Sequence, residues 1–179
     1  MNITFYGHAS FGIEVNGKHL LVDPFITANP KASHIDINQL HADYILITHA
    51  HQDHVLDVDV IAKRTGATII SNYEIVNHFL AKDFKGHHLN HGGTFTCDAF
   101  SAKYVNAVHT SSFADGSYGG EPGGFVLTAN DQSIYIAGDT CAHFDMKLIP
   151  MFTKLNAAIL PIGDTFTMGV EEALIASDF

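Results

Sequence analysis

One short segment decides most of what this chain can be. Tyr44-Ile45-Leu46-Ile47 is a continuous apolar run, as expected of a strand buried on both faces. It delivers the backbone directly into Thr48-His49-Ala50-His51-Gln52-Asp53-His54. Four potential metal ligands therefore sit within six residues at the end of a rigid element. In extended backbone His49 and His51 point to the same side. A turn at Gln52-Asp53 then carries Asp53 and His54 around a second point, so the spacing suits two adjacent cations better than one. The competing reading, a loop of solvated histidines, is the false-positive risk of any short motif.

The surroundings of that segment read as α/β. Strand-like runs over 2–6, 11–15 and 18–22 come first, with Asn16-Gly17 as a two-residue hairpin signal. Asp23-Pro24 stops the third run, because proline cannot continue a ladder. A polar loop over 26–41 precedes the apolar run. Helices are predicted over 58–64 and 72–82, the second capped by Asn72, with a strand over 67–70 between them. From Gly92 to Ala137 the chain turns β again, with strands over 94–97, 99–108, 124–128 and 133–137. A helix over 144–150, a strand over 157–161 and a helix from Val170 close it. The 179 residues, 46% hydrophobic and 16% charged, are read as one domain over 1–179 with a real core. No apolar run approaches the ~20 residues of a membrane span. No signal peptide is visible at Met1, and two cysteines make no disulfide framework, so a cytoplasmic location is expected.

Charge and histidine content point the same way. The formal charge is −10, with no basic cluster, which disfavours nucleic acid as a partner. Two bound divalent cations would bring −10 to −6. Thirteen histidines is a high count for this length, and neutral imidazole is a common transition-metal ligand.

The hexapeptide His49-x-His51-x-Asp53-His54 closely resembles the metal-binding signature of the metallo-β-lactamase superfamily. Further motifs appear in matching order: Tyr6-Gly7-His8-Ala9-Ser10, Asp23-Pro24-Phe25, His109-Thr110-Ser111-Ser112, Gly138-Asp139-Thr140 and Pro161-Ile162-Gly163. Each is weak alone and persuasive in sequence. Together they look most like a branch of small metal-dependent hydrolases near the lactonase-like and N-acyl-phosphatidylethanolamine phospholipase D-like members. The resemblance implies an αββα sandwich. It implies a first metal on His49, His51 and His109, a second on Asp53 and His54, and Asp139 bridging both. It implies two divalent ions, zinc first and manganese as competitor, and a metal-bound hydroxide that cleaves an ester, lactone or phosphodiester-type bond of a small substrate. Asp53 is the residue best placed to orient or deprotonate the attacking water. A homo-oligomer is left open.

The family adds a further second-site histidine on a final strand, and this sequence has none after His143. The expectation is a C-terminally incomplete fold whose second site is weaker. The alternative is a catalytically weak or inactive metal-binding domain, and a diiron oxygen-handling protein ranks third, since His51 stands where those members carry a carboxylate. Beyond the ligand set, His8 and Asp164 are candidates for lining the site, and Asp23 for orienting a ligand histidine from behind. Each has a structural reading beside it: a hydrogen-bonded histidine, a loop or cap residue, a strand terminator. His87, His88 and His91 cluster in sequence, but Gly86 and Gly92-Gly93 are read as turn markers there. Cys141 is read as a small buried thiol, and the loop 116–124 as either a cleft border or a plain hairpin connection.

Overall fold

The computed structural model describes residues 1–179. Its first sheet is built by the turns the chain carries. Asn16 and Gly17 both adopt left-handed backbone, at φ 47° and 77°, as a type I′ turn demands. They fold β2 (Ser10–Val15) antiparallel onto β3 (Lys18–Val22). β1 (Asn2–Gly7) pairs antiparallel along the outer side of β2. After β3 the sheet grows by parallel addition of β4 (Tyr44–Leu46), β5 (Thr68–Asn72) and β6 (Lys85–Leu89). The crossovers carry α1 (Gln52–Val55) and α2 (Val58–Thr65), then α3 (Tyr73–Leu80). Asn72 ends β5 and caps α3, its side chain accepting from the Ile75 amide at 2.9 Å.

The second sheet has the order β11-β10-β9-β8-β7. Its members are β7 (Thr94–Thr96), β8 (Ser101–Asn106), β9 (Gly123–Ala129), β10 (Gln132–Ile136) and β11 (Ala157–Ile159). All neighbours are antiparallel except β10 and β11. Ile13, Leu20, Val22, Leu46 and Ile70 of the first sheet meet Tyr104, Phe125, Leu127 and Ile136 of the second in one buried cluster. The other face of the first sheet packs Ile45, Ile47 and Ile69 against Val58 and Ile61 of α2 and Ile75 and Phe79 of α3. Outside the second sheet, Val126 and Tyr135 meet Ile149 of α4 (Ile149–Phe152), and Met146 and Met168 meet Ala173 of α5 (Val170–Ser177). Helix, sheet, sheet and helix thus alternate, and the αββα expectation stands.

The structure differs from the sequence reading in a few elements. Gly86 does not mark a turn; it lies inside β6. A Cβ at Gly86 would stand 2.4 Å from Val76 Cγ1, so glycine is what lets α3 lie flat on that strand. Lys85-Gly86-His87-His88-Leu89 has no apolar face to announce a strand, and pairing with β5 imposes the conformation. Gln52-Asp53 opens the short helix α1 rather than a simple turn. The helix expected over 144–150 divides into a 3-10 turn over Phe144–Leu148 followed by α4. No helix is long and apolar enough to cross a membrane.

Candidate metal centre

The side chains of interest converge at one edge of the two sheets. Asp23 follows β3, Thr48 and His49 follow β4, His109 follows β8, and Asp139 follows β10. Parallel strands leave their carboxyl ends in register, so residues just beyond them project into a shared crevice. Gly138 makes the closest approach possible. Its φ is 65°, and a Cβ there would lie 2.7 Å from Thr48 Cβ. The buried Thr140 hydroxyl accepts from the Val108 amide at 2.9 Å, tying the stretch that carries Asp139 to the one that carries His109.

Three imidazoles form the first group. His49 Nε2 lies 3.1 Å from His51 Nδ1, and His109 Nε2 lies 3.3 Å from the same atom. Neighbours set their tautomers. Thr48 Oγ1 gives its single proton to Asp23 Oδ2 at 2.6 Å. Its 3.0 Å contact with His49 Nδ1 therefore has the imidazole donating, which leaves Nε2 of His49 as a bare lone pair. His51 Nε2 lies 3.3 Å from Thr110 Oγ1, which leaves Nδ1 as the ring nitrogen facing His49 and His109. Ser111 Oγ accepts from the Ala50 amide at 3.1 Å and donates to the Gly119 carbonyl at 2.9 Å, which braces the backbone between His49 and His51. Burial, followed by the neighbouring His54, His51 and His109, holds His49 well below the usual imidazole range. His109 is lowered by burial too, against the pull of Asp139. Both are neutral and ready to ligate at pH 7.

His8, Asp53 and His54 form a second group, and Asp139 approaches it through His54. His54 donates through Nδ1 to Asp23 Oδ2 at 2.9 Å, while its fully buried Nε2 has no hydrogen-bond partner. That atom lies 3.6 Å from Asp139 Oδ2, which is also 3.9 Å from His109 Nε2 and so stands between the two groups. Burial alone would lower His54, but the Asp23 and Asp139 carboxylates overrule it and lift the ring to about 10. Asp53 Oδ2 meets His8 Nε2 at 2.9 Å, and that bond is the main cause holding Asp53 down at about 2. Asp139 is lowered as well, its own burial being outweighed by His54. These groups attract positive charge, and the donor set fits a cation: converging lone pairs in one group, an orphaned nitrogen between carboxylates in the other.

His8 sits at φ 56° in the β1–β2 turn, half-exposed beside Asp53. Its motif also serves Asp23: Ser10 Oγ donates to the Asp23 carbonyl at 2.5 Å and accepts from the Phe25 amide at 2.9 Å. Asp23, buried and at φ 43°, accepts from the Thr48 amide at 2.8 Å besides its contacts to the Thr48 hydroxyl and His54. Asp164 joins neither ligand group; it lines a cavity of about 550 Å³ beside Asp53 and Asp139. Cys141 is partly buried and outside both groups. His87, His88 and His91 do not converge: His87 packs on Phe95, His88 meets Asn77 Oδ1, and His91 meets the Pro122 carbonyl. The 116–124 loop backs the first group through the Gly119 carbonyl, which also accepts from Asn72 Nδ2. Sequence reasoning missed Thr48 as the link between Asp23 and His49. It also missed Asp57, whose buried carboxylate takes the Ile26 and Thr27 amides and pins the exit from Asp23-Pro24-Phe25. Thr48 had a signal, a hydroxyl immediately ahead of the motif; Asp57 had none.

Comparison with known proteins gives a consistent picture. The family model of the β-lactamase superfamily domain matches residues 2–177. A UPF0173 metal-dependent hydrolase of Flavobacterium johnsoniae is 64% identical over 179 residues, covering 100% of this chain and 80% of that protein. One from Christiangramia forsetii is 59% identical over 180 residues, with the same coverage. The solved structure of a metallo hydrolase from the hyperthermophilic archaeon Ignicoccus hospitalis superposes with a TM-score of 0.84 at 32% identity, covering 98% of this chain and 76% of that one.

Proposed function

The chain belongs to the β-lactamase superfamily and is a metal-dependent hydrolase, and from that premise we propose a two-cation site that hydrolyses an ester, lactone or phosphodiester-type bond of a small substrate. His49, His51 and His109 would hold the first cation and Asp53 and His54 the second, with Asp139 available to both. Cations bound there would supply Lewis acidity, lowering the pKa of a water toward ~7 and drawing charge off the attacked oxygen. The chain's own residues do the rest. Asp53 is the residue best placed to orient or deprotonate the attacking water, and His8 holds its carboxylate in place. Asp23 fixes the His54 ring directly and the His49 ring through Thr48. The imidazole-rich first group favours zinc; the oxygen-richer second group makes manganese its competitor. A cytoplasmic location belongs to the same reading, since Cys97 and Cys141 are both unpaired.

The observation that carries the proposal is the approach of His49 Nε2 and His51 Nδ1 to 3.1 Å. With Thr48 holding the proton on His49 Nδ1, the Nε2 lone pair of His49 faces His51 Nδ1 at the point where both rings would bind a cation. Elemental analysis of the purified protein is expected to give two equivalents of metal per chain. Hydrolysis of lactone, thioester and bis-nitrophenyl phosphate substrates should vanish on chelation and return with zinc or manganese. Turnover that survives thorough metal removal overturns the mechanism, and a single tightly held equivalent overturns the two-cation site.

A further inference from the structure

His8 is held more firmly than a partner of one carboxylate needs to be. Its backbone is left-handed at φ 56°, a region that non-glycine residues seldom enter. Gly7 ahead of it has φ 103°, and a Cβ there would stand 2.9 Å from Asn29 Nδ2. The His8 ring stands edge-on to Phe25, with centroids 5.4 Å apart at 65°, and edge-on to His54, at 5.2 Å and 62°. An exposed hydrogen-bonded ion pair contributes little by itself, so such fixation calls for a further partner.

The neighbouring donors point to what that partner is. One donor atom each from His8, Asp53 and His54 lies within 4.8 Å of the other two. His8 Nε2 reaches Asp53 Oδ2 at 2.9 Å. His54 spends Nδ1 on Asp23, and its Nε2 is fully buried with no hydrogen-bond partner. Asp139 Oδ2 adds a fourth donor 3.6 Å from that nitrogen. Donors sharing one cation at ~2.0–2.2 Å stand ~3–4 Å from one another, so small side-chain rotations close the set. The His54 side chain is fully buried, whereas those of His8 and Asp53 are 39% and 45% exposed. The set is closed toward the core and open toward the crevice, as a cation that also takes water or substrate requires.

We infer that His8 is itself a ligand of the second cation, bound through Nε2 beside Asp53 and His54, with Asp139 shared. The inference rests on the two-cation reading above and gives its second site another imidazole. Without a cation, Nε2 of His8 carries the proton that Asp53 accepts. A cation displaces that proton to solvent and holds ring and carboxylate together in its place. The second site then counts two imidazole nitrogens and two carboxylates among its donors. Such a set suits zinc as well as manganese, so the two sites differ less than the hexapeptide alone suggests.

Cobalt, added stepwise to the metal-free protein and followed by visible absorption in competition with a chelator, tests the assignment without turnover. Two equivalents are expected in the unaltered protein. His8→Gln keeps an amide N–H at about the reach of Nε2, so the bond to Asp53 survives while the imidazole is lost. It should leave the first equivalent unchanged and weaken the second by more than ~100-fold, beyond the ~10–100-fold cost of a residue acting from behind a ligand. A smaller loss, with the first equivalent intact, overturns the ligand role and leaves the two-cation reading standing. His8→Gly suits the left-handed backbone, and it decides the matter if His8→Gln also loses the first equivalent. Free imidazole should recover the second equivalent of His8→Gly by at least ~10-fold relative to the first, which serves as the reference for folding and for cobalt drawn off in solution. A second equivalent that ignores imidazole there also overturns the ligand role. Uptake of a single equivalent before any substitution overturns the two-cation reading, and the assignment of His8 falls with it.

Discussion

Thr48 is the residue whose role is largest relative to its size. Its hydroxyl donates to Asp23 and accepts from His49, so one buried carboxylate fixes the tautomers of two of the proposed ligand histidines, His54 directly and His49 at one remove. Partners standing behind metal ligands commonly set affinity by ~10–100-fold. Thr48→Val keeps the shape, removes the relay and leaves the His49 Nδ1 proton without an acceptor in a buried site. We expect the first metal equivalent to bind ~10–100-fold more weakly, read by competition with a chromophoric chelator, and stability to fall by about 1–3 kcal/mol. Thr48→Ser retains the hydroxyl and should recover most of the affinity. Equal loss in both variants would show that Thr48 acts through packing alone.

At the scale of elements, the site depends on how closely strand ends approach each other. β4 and β10 belong to different sheets, and Gly138 allows the chain leaving β10 to pass against Thr48. Gly138→Ala meets both a left-handed φ and a clash with the buried Thr48 side chain, so a loss of about 2–4 kcal/mol is expected from urea midpoints at unchanged slope. Because Asp139 is the next residue, metal stoichiometry should fall with it. Gly86→Ala is the contrasting case. Its clash is with Val76 on α3, far along the chain from the ligands, so about 1–3 kcal/mol should be lost with two metals still bound. Should both variants keep full stoichiometry, the strand-end approach is not what places Asp139.

The whole molecule concentrates its most strongly shifted histidines at the proposed metal centre, and its pH response follows. In metal-free protein, Asp23 and Asp139 overcome burial to hold the proton on His54 up to about 10, against 6.5 for an ordinary imidazole. Folding then takes up a proton, so this stabilisation is complete below about 6.5 and is lost as pH rises through 10. His49 and His109 are shifted the other way and disfavour folding below 6.5, where the unfolded chain protonates them. The Tm of metal-free protein should therefore fall between pH 7 and 9.5. With metal bound the His54 proton is already displaced and the decline should be much smaller. Calorimetry of both forms checks this, and parallel pH profiles would refute the proton's displacement. The chain by itself determined what is local. The ligand-bearing hexapeptide follows from one apolar run, the β2–β3 hairpin from Asn16-Gly17, and the start of α3 from Asn72, because each depends on neighbours a few residues away. Tertiary structure alone decided which distant residues join them. Asp23 reaches Thr48 across 25 positions and His109 reaches His51 across 58. β6 is a strand only because β5 lies beside it, and His8 faces Asp53 only because the β1–β2 turn folds over the same edge. The physical reason is that side-chain direction beyond a strand end is set by the packing of neighbouring strands, which no local periodicity encodes.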